Sequence, residues 1–186
     1  MKSFSQLSTL ALAFFAVFSL NAQSMDKTVM VGGEAMFPMK NIVENAVNSK
    51  AHTTLVAAVK AAGLVETLQG SGPFTVFAPN NDAFENLPAG TVESLLKPEN
   101  KSNLTAVLTY HVVAGKLDYK ALAKLIKSGK NTLKTVNGAS LMVMMNGARN
   151  IVVKDANGGI ANISVYDVYQ KNGVIHSLDT VLLPKM

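Results

Sequence analysis

The spacing of apolar residues changes from helical to strand-like partway along the chain. Between residues 41 and 70, apolar side chains recur three or four positions apart, which predicts two successive helices and a further short helical turn. After residue 133, short strand-like apolar runs are separated by Asn-Gly pairs, which supply the positive φ of tight hairpin turns. These runs occupy residues 141–145, 151–154, 163–169 and 174–183. The pattern predicts one α+β domain, with a helix-rich first half and an antiparallel sheet in the second half.

A strand interrupts the helical half of the chain. Residues 74–78 are aromatic and β-branched, which predicts a short buried strand. Either Asn80 or Asn81 is expected to cap the helix that follows it. In the same way, Thr53 or Thr54 is expected to cap the second helix of the chain.

Residues 119–130 show a clear amphipathic helix pattern. Three apolar residues fall on one face of the expected helix, and Lys120, Lys124 and Lys127 fall on the opposite face. A lysine row of this kind is usually a solvated helix surface. The alternative interpretation is a patch that contacts an anionic surface, either acidic polysaccharide or lipid headgroups.

The N-terminus has the features of a secretory signal peptide. Lys2 supplies the positive charge, residues 10–20 are almost wholly apolar, and Ala22 is a small residue suited to cleavage. The apolar run is shorter than the ~20 residues of a membrane-spanning helix, and no later stretch is long enough. We therefore expect residues 1–22 to be removed and the mature chain to lack a transmembrane segment. A retained N-terminal anchor is the alternative.

The rest of the chain divides into a leader and one domain. Residues 23–40 contain Gly32-Gly33 and Pro38, which predicts a flexible leader. Residues 41–186 have the length of a single domain. The expected location is outside the cytoplasm, either secreted and extracellular or periplasmic within the cell envelope.

Composition limits the kinds of site that the chain can hold. There is no cysteine, which excludes thiol catalysis, thiolate metal sites and disulfides. The formal net charge of +5 is too small to indicate nucleic acid binding, although it favours anionic surfaces. No cofactor is predicted.

His176, Ser177 and Asp179 suggest a catalytic triad at first sight. In a strand, however, His176 points away from the other two residues, whereas a triad needs three converging side chains. No enzymatic activity is therefore predicted, and a hydrolase that uses His111 or His176 is the weakest alternative. A metal site is not predicted either, because His52, His111 and His176 lie in distant segments without ligand spacing.

Three blocks of the chain stand in the order found in the fasciclin (FAS1) domain, which the chain resembles from about residue 40 to its end. The blocks are residues 75–84, the pair Tyr110-His111, and residues 172–184. In the first and last blocks, the residues that carry the likeness are Thr75, Phe77, Pro79, Asp82, Phe84, Asn172, Gly173, His176 and Asp179. The resemblance implies a β-wedge of about seven strands with helices packed against it.

The resemblance also implies an extracellular role and no shared enzymatic activity. In animal members, the Tyr-His pair and a segment before the last block are tied to integrin recognition. Tyr110, His111, Asp167 and Val168 occupy these positions here. We therefore predict an exported, non-catalytic module for cell adhesion or for binding to extracellular matrix or surfaces, with a protein or polysaccharide ligand. The alternative is a carrier of small ligands in the cell envelope, with a pocket between the helices and the sheet.

Overall fold

The structure, a computed structural model, describes residues 28–185. Its strands are β1 (Val29–Val31), β2 (Glu34–Met36), β3 (Phe74–Pro79), β4 (Val112–Ala114), β5 (Thr132–Lys134), β6 (Ser140–Asn146), β7 (Asn150–Lys154), β8 (Ile160–Gln170) and β9 (Gly173–Leu178). Its α-helices are α1 (Ile42–Ala46), α2 (Thr53–Ala62), α3 (Val65–Gln69), α4 (Asn81–Glu85), α5 (Thr91–Leu95), α6 (Lys101–Tyr110) and α7 (Tyr119–Lys127). Short 3-10 turns lie at Lys50–His52 and Pro98–Asn100. Helices dominate the first half and strands the second, as the apolar spacing predicts.

Strands β3 to β9 form one sheet in the order β4-β3-β9-β8-β7-β6-β5. Neighbouring strands pair antiparallel except for β3 and β9, which run parallel. A bridge between Val113 and Thr135 brings the two outer strands together, so that the sheet is nearly closed. This arrangement confirms the predicted α+β fold with a seven-stranded wedge and helices packed against it.

Strands β3 and β9 are buried on both faces because each face packs on a separate apolar core. Val76 and Ile175 are paired in the sheet and face the core that helices α1 to α4 and α6 share with the β1–β2 hairpin. Phe77 and Leu178 face a second core, formed with residues of β5 to β8 and α7. Burial on both faces explains why the two strands read as nearly continuous apolar runs.

Asparagine side chains accept hydrogen bonds from backbone N–H groups at the N-terminal ends of α4 and α2. The side chain of Asn80 accepts a hydrogen bond from the backbone N–H of Ala83 at 2.8 Å, which confirms one of the two predicted caps of α4. Asn81 instead accepts a hydrogen bond from the backbone N–H of Thr54 at 3.2 Å. The predicted threonine cap of α2 is wrong, because α2 continues from a 3-10 turn and Asn81 satisfies one of its first N–H groups.

The structure corrects the predicted flexible leader over residues 29–36, which form the hairpin of β1 and β2. Gly32 and Gly33 have φ values of 60° and 80°. The glycine pair that suggested mobility therefore supplies the geometry of a tight turn. Val31 and Met36 hold the hairpin in place, because both are buried in the core on the helix side of the sheet.

The predicted signal peptide at residues 1–22 lies outside the described residues, as does the start of the predicted leader. Among residues 28–185, every helix is too short or too polar to cross a membrane.

The last strand is shorter than the apolar run that predicts it. Strand β9 ends at Leu178, whereas the run extends to residue 183. The carboxylate of Asp179 accepts hydrogen bonds from the backbone N–H of Asn162 at 2.8 Å and from its side-chain amide at 2.7 Å. These bonds hold the chain where it bends out of the ladder, and Leu182 remains buried beyond the bend.

Candidate functional site

His176 lies at the contact between the first and last sequence blocks. Its ring stacks on Phe77 with 5.7 Å between ring centroids. Its Nε2–H donates to the carbonyl of Leu117 at 2.8 Å, and its Nδ1 accepts from the backbone N–H of Asp167 at 3.4 Å. Burial lowers the pKa of His176 below its usual value, so the ring is neutral near pH 7. The residue connects β9 to the loop before α7 and to β8.

The suspected triad does not assemble. Ser177 points to the opposite face of the sheet from His176 and bonds to His52, while Asp179 bonds to Asn162. The alternation of side chains along β9 therefore separates the three groups, as the strand argument predicts.

Tyr110 and His111 are buried and fully hydrogen-bonded. The hydroxyl of Tyr110 donates to the carbonyl of Ser140 and accepts from the backbone N–H of Ala156, both at 2.9 Å. Nδ1–H of His111 donates to the carbonyl of Val107 at 2.8 Å, and Nε2 accepts from the backbone N–H of Leu182 at 3.0 Å. Burial lowers the pKa of His111 to about 4. The pair joins the end of α6 to the sheet and to the C-terminal segment.

Asp167 and Val168 lie where the pairing of β8 with β9 shifts register. Val168 is buried, and Asp167 is half-buried with a φ of 57°. The Asp167 carboxylate accepts a hydrogen bond from the backbone N–H of Tyr119 at 2.7 Å. Asp118 caps the same helix by accepting from the backbone N–H of Ala121 at 2.9 Å. Two carboxylates therefore fix the start of α7.

Other motif residues also hold segments together. Thr75 donates from its hydroxyl to the carbonyl of Gly115 at 2.7 Å and accepts from the N–H of Leu117 at 2.9 Å. Asn172 accepts from the N–H of Ile42 at 3.0 Å and donates to two carbonyls near the end of α3. The remaining first-block residues complete β3 and α4: Pro79 ends the strand, Asp82 is exposed in the first helical turn, and Phe84 is buried.

Helix α7 presents a row of exposed lysines, as its sequence predicts. Lys120, Lys124 and Lys127 are all exposed, while Leu122 on the opposite side is fully buried. The salt bridge found among residues 28–185 joins Lys50 to Glu34, so no described carboxylate pairs with this row. We call Lys120, Lys124 and Lys127 the lysine face.

A second feature is an apolar cavity of about 260 Å³ between helices α1 to α3 and the sheet. Residues of the β1–β2 hairpin, α2, α3, β3 and β9 line it, among them Val31, Leu55, Leu68, Val76 and Ile175. Nearly all of the wall is hydrocarbon. The cavity lies where the alternative prediction of a pocket between helices and sheet places it.

Three polar side chains form one connected group in the cavity wall. The hydroxyl of Ser49 lies 2.9 Å from Nδ1 of His52, and Nε2 of His52 lies 3.1 Å from the hydroxyl of Ser177. Burial lowers the pKa of His52, so the ring is neutral near pH 7. We call Ser49, His52 and Ser177 the Ser-His-Ser group.

Within the described chain, His, Asp and Glu side chains nowhere gather in a group of three that would hold a metal ion.

Residues 50–184 match the family model described as the Fasciclin domain. The chain belongs to the fasciclin family. Its fasciclin domain includes β3 to β9 and α2 to α7, and therefore the lysine face and most of the cavity wall.

Relatives of this fasciclin domain include bacterial and animal proteins. Protein sll1483 of Synechocystis sp. is 44% identical over 184 residues, which cover 99% of this chain and 96% of that protein. Cell surface glycolipoprotein MPB83 of Mycobacterium bovis is 35% identical over 83% of this chain and 64% of that protein. Transforming growth factor-beta-induced protein ig-h3 of Sus scrofa is 34% identical over 79% of this chain but only 20% of that protein.

The fold is also similar to a solved FAS1 domain pair from the insect cell adhesion molecule Fasciclin I. The TM-score is 0.69 at 21% sequence identity, and the match covers 79% of this chain and 52% of that chain. At this identity the likeness shows the shared fold alone.

Sequence reasoning missed the Ser-His-Ser group of the fasciclin domain. In the sequence, Ser177 stands beside the suspected triad residues His176 and Asp179, and His52 enters only the rejected metal site with His111 and His176. The sequence signal is a polar residue at an inward position of a strand that is apolar on both faces. Such a residue needs a hydrogen-bond partner, and here that partner lies 125 positions away.

Proposed function

We propose that this fasciclin domain is an exported, non-catalytic module that binds extracellular surfaces or matrix. The observation that carries the proposal is the lysine face, an unpaired cationic row on one exposed side of α7. The relatives support the same class of role, because they include a cell surface glycolipoprotein. Export rests on the N-terminal signal pattern.

The lysine face favours a polyanionic ligand. Lys120 and Lys127 are seven positions apart, so along a helix the row is roughly 10 Å long. Several like charges held in a row attract a polyanion more strongly than scattered charges do. An acidic polysaccharide and a surface of anionic lipid headgroups share this chemistry, and the experiment distinguishes them.

The test compares two triple variants with the same change in net charge. One changes Lys120, Lys124 and Lys127 to Gln, and the matched control changes the exposed residues Lys97, Lys101 and Lys185 to Gln. Both are measured against immobilised dextran sulfate and against phosphatidylglycerol vesicles at several salt concentrations. We expect the first variant to lose at least tenfold in affinity for one of the two surfaces and the control to lose much less. Equal losses, or no binding by the unmodified protein, would rule out the lysine face.

A second candidate function is that of a carrier for small apolar ligands. The cavity of about 260 Å³ favours it, because a hydrocarbon wall between helices and sheet suits a small apolar molecule. Native mass spectrometry of protein isolated from its own host would test this role. A co-purifying molecule that is released by denaturation would support it, and protein of bare polypeptide mass would count against it.

A further inference from the structure

The Ser-His-Ser group places a hydrogen-bonded polar cluster among the residues that line the apolar cavity. His52 lies between the two hydroxyl groups, with Ser49 at 2.9 Å and Ser177 at 3.1 Å. A neutral imidazole has one N–H donor and one acceptor nitrogen. One serine therefore donates to the ring and the other accepts from it.

Each serine keeps hydrogen-bonding capacity after this pairing, because a hydroxyl has one donor and two acceptor lone pairs. If Ser177 donates to His52, its oxygen can still accept a hydrogen bond; if Ser177 accepts, its proton can be donated elsewhere. The backbone of Ala78 also hydrogen-bonds the His52 ring. Either serine can still donate to or accept from a ligand hydroxyl, which is itself both donor and acceptor.

The rest of the wall restricts the ligand further. Among residues 28–185, the cationic side chain that borders the cavity is Lys60, which is exposed to solvent, and no carboxylate lines the cavity. Burying a charged group without a partner is costly, so the interior selects neutral molecules. An apolar cavity of ~150 Å³ holds benzene, and drug-sized ligands need ~300 Å³ or more. About 260 Å³ therefore fits a single ring with a short alkyl chain.

We infer that the cavity binds a small neutral amphiphile of the alkylphenol type, with its hydroxyl bonded to the Ser-His-Ser group and its hydrocarbon part against the apolar wall. The inference rests on the second candidate function, because it names the ligand class of the same cavity. Ser177 is the residue expected to determine specificity, since β9 presents its hydroxyl on the face of the sheet that lines the cavity.

The test uses two probes that differ by one hydroxyl, 4-butylphenol and butylbenzene, and measures binding to the purified protein by calorimetry. Both are expected to bind. Ser177→Ala is expected to weaken the affinity for 4-butylphenol about fivefold and to leave the affinity for butylbenzene unchanged. Comparing two ligands on the same variant separates this effect from a general loss of folded protein. Ser140→Ala, an exposed serine of β6, is the matched control and should change neither affinity.

A second variant keeps the inference testable if Ser177→Ala does not fold. Ser49→Ala removes the other hydroxyl of the group and should also weaken 4-butylphenol selectively. Ala46→Phe, which places a ring in the cavity, should abolish binding of both probes.

The outcomes separate the inference from the carrier function. If both probes bind, and the serine variants weaken the two affinities equally or not at all, the Ser-His-Ser group does not determine specificity, although the carrier function stands. If neither probe binds the unmodified protein, the inference and the carrier function both fail.

Discussion

The carboxylate of Asp167 accepts a hydrogen bond from the backbone N–H of Tyr119 at 2.7 Å, across a sequence separation of 48 residues. Asp167 has a φ of 57°, a left-handed conformation that few residues other than glycine adopt. The bond joins the irregular part of β8 to the first turn of α7. A residue predicted from the family likeness to recognise partners therefore positions the helix that presents the lysine face.

Substitution of Asp167 tests this positioning role. Asp167→Ala should lower the free energy of unfolding by about 2 kcal/mol, because it removes the acceptor and leaves a side chain at an unfavourable φ. Asp167→Asn should cost less than about 1 kcal/mol, because asparagine tolerates the left-handed region and its carbonyl oxygen still accepts. Urea denaturation measures both values. Equal losses for the two variants would argue against a capping role.

Gly173 should tolerate no side chain at all. A Cβ at this position would lie 2.1 Å from the carbonyl oxygen of Phe74, where β9 passes close to β3. We expect Gly173→Ala to destabilise the domain by about 3 kcal/mol or more, because the strand pair must separate. The measurement is the urea midpoint of unfolding.

Gly147→Ala is the control for Gly173. Gly147 has a φ of 78° in the turn between β6 and β7, and a Cβ there would meet nothing within 4 Å. Gly147→Ala should lower the free energy of unfolding by only about 1 kcal/mol, because only the backbone conformation is unfavourable. A Gly173→Ala loss as small as this would mean that the strands can move apart easily.

Stability should decrease as the pH falls from about 6.5 toward 4. Burial lowers the pKa values of His52, His111 and His176 in the folded protein. The unfolded chain therefore binds protons at pH values where the folded chain does not, so the free energy of unfolding rises with pH across this window. The full contribution is present above the unfolded pKa of about 6.5. Urea denaturation at several pH values measures this slope.

His111 should account for a large part of that slope. Its pKa of about 4 corresponds to a contribution of about 3 kcal/mol that is lost on acidification. Carboxylates titrate in the same range, so the informative comparison is with His111→Gln, which should show a flatter profile. Identical pH profiles for the two proteins would contradict a neutral buried His111.

Tyr110→Phe separates a structural role from direct recognition. The variant loses two hydrogen bonds, to the carbonyl of Ser140 and from the N–H of Ala156, and should be less stable by about 2 kcal/mol. Its affinity for dextran sulfate, corrected for the folded fraction, should not change because Tyr110 is fully buried. A folded variant with selectively weakened binding would instead support a direct contact.

Local patterns predicted the elements of this fold better than their assembly. The lysine face follows from helical spacing over about two turns, and a cap at Asn80 or Asn81 follows from residue type, so both were visible in the sequence. The choice of Asn80 over Asn81 was not. The parallel pairing of Phe77 with His176 joins positions that are far apart in the chain. The pattern indicates only buried strands, and the family resemblance implies a seven-stranded wedge. Neither predicts that these two strands run parallel.

The errors have local causes. Gly32-Gly33 fits both a mobile segment and a tight hairpin turn, and burial of Val31 and Met36 decides between them. The run to residue 183 looks like one strand because apolar residues continue past the bend at Asp179. The Ser-His-Ser group could not be predicted from the sequence, because nothing near His52 indicates that Ser177 lies beside it.

The near-closure of the sheet bears on how copies of this protein behave when they are crowded together. Its two outer strands, β4 and β5, have three residues each and meet through the bridge between Val113 and Thr135. Short, mutually covered outer strands offer little unpaired backbone to a neighbouring copy. Many copies crowded side by side should therefore remain separate bodies instead of joining into fibres.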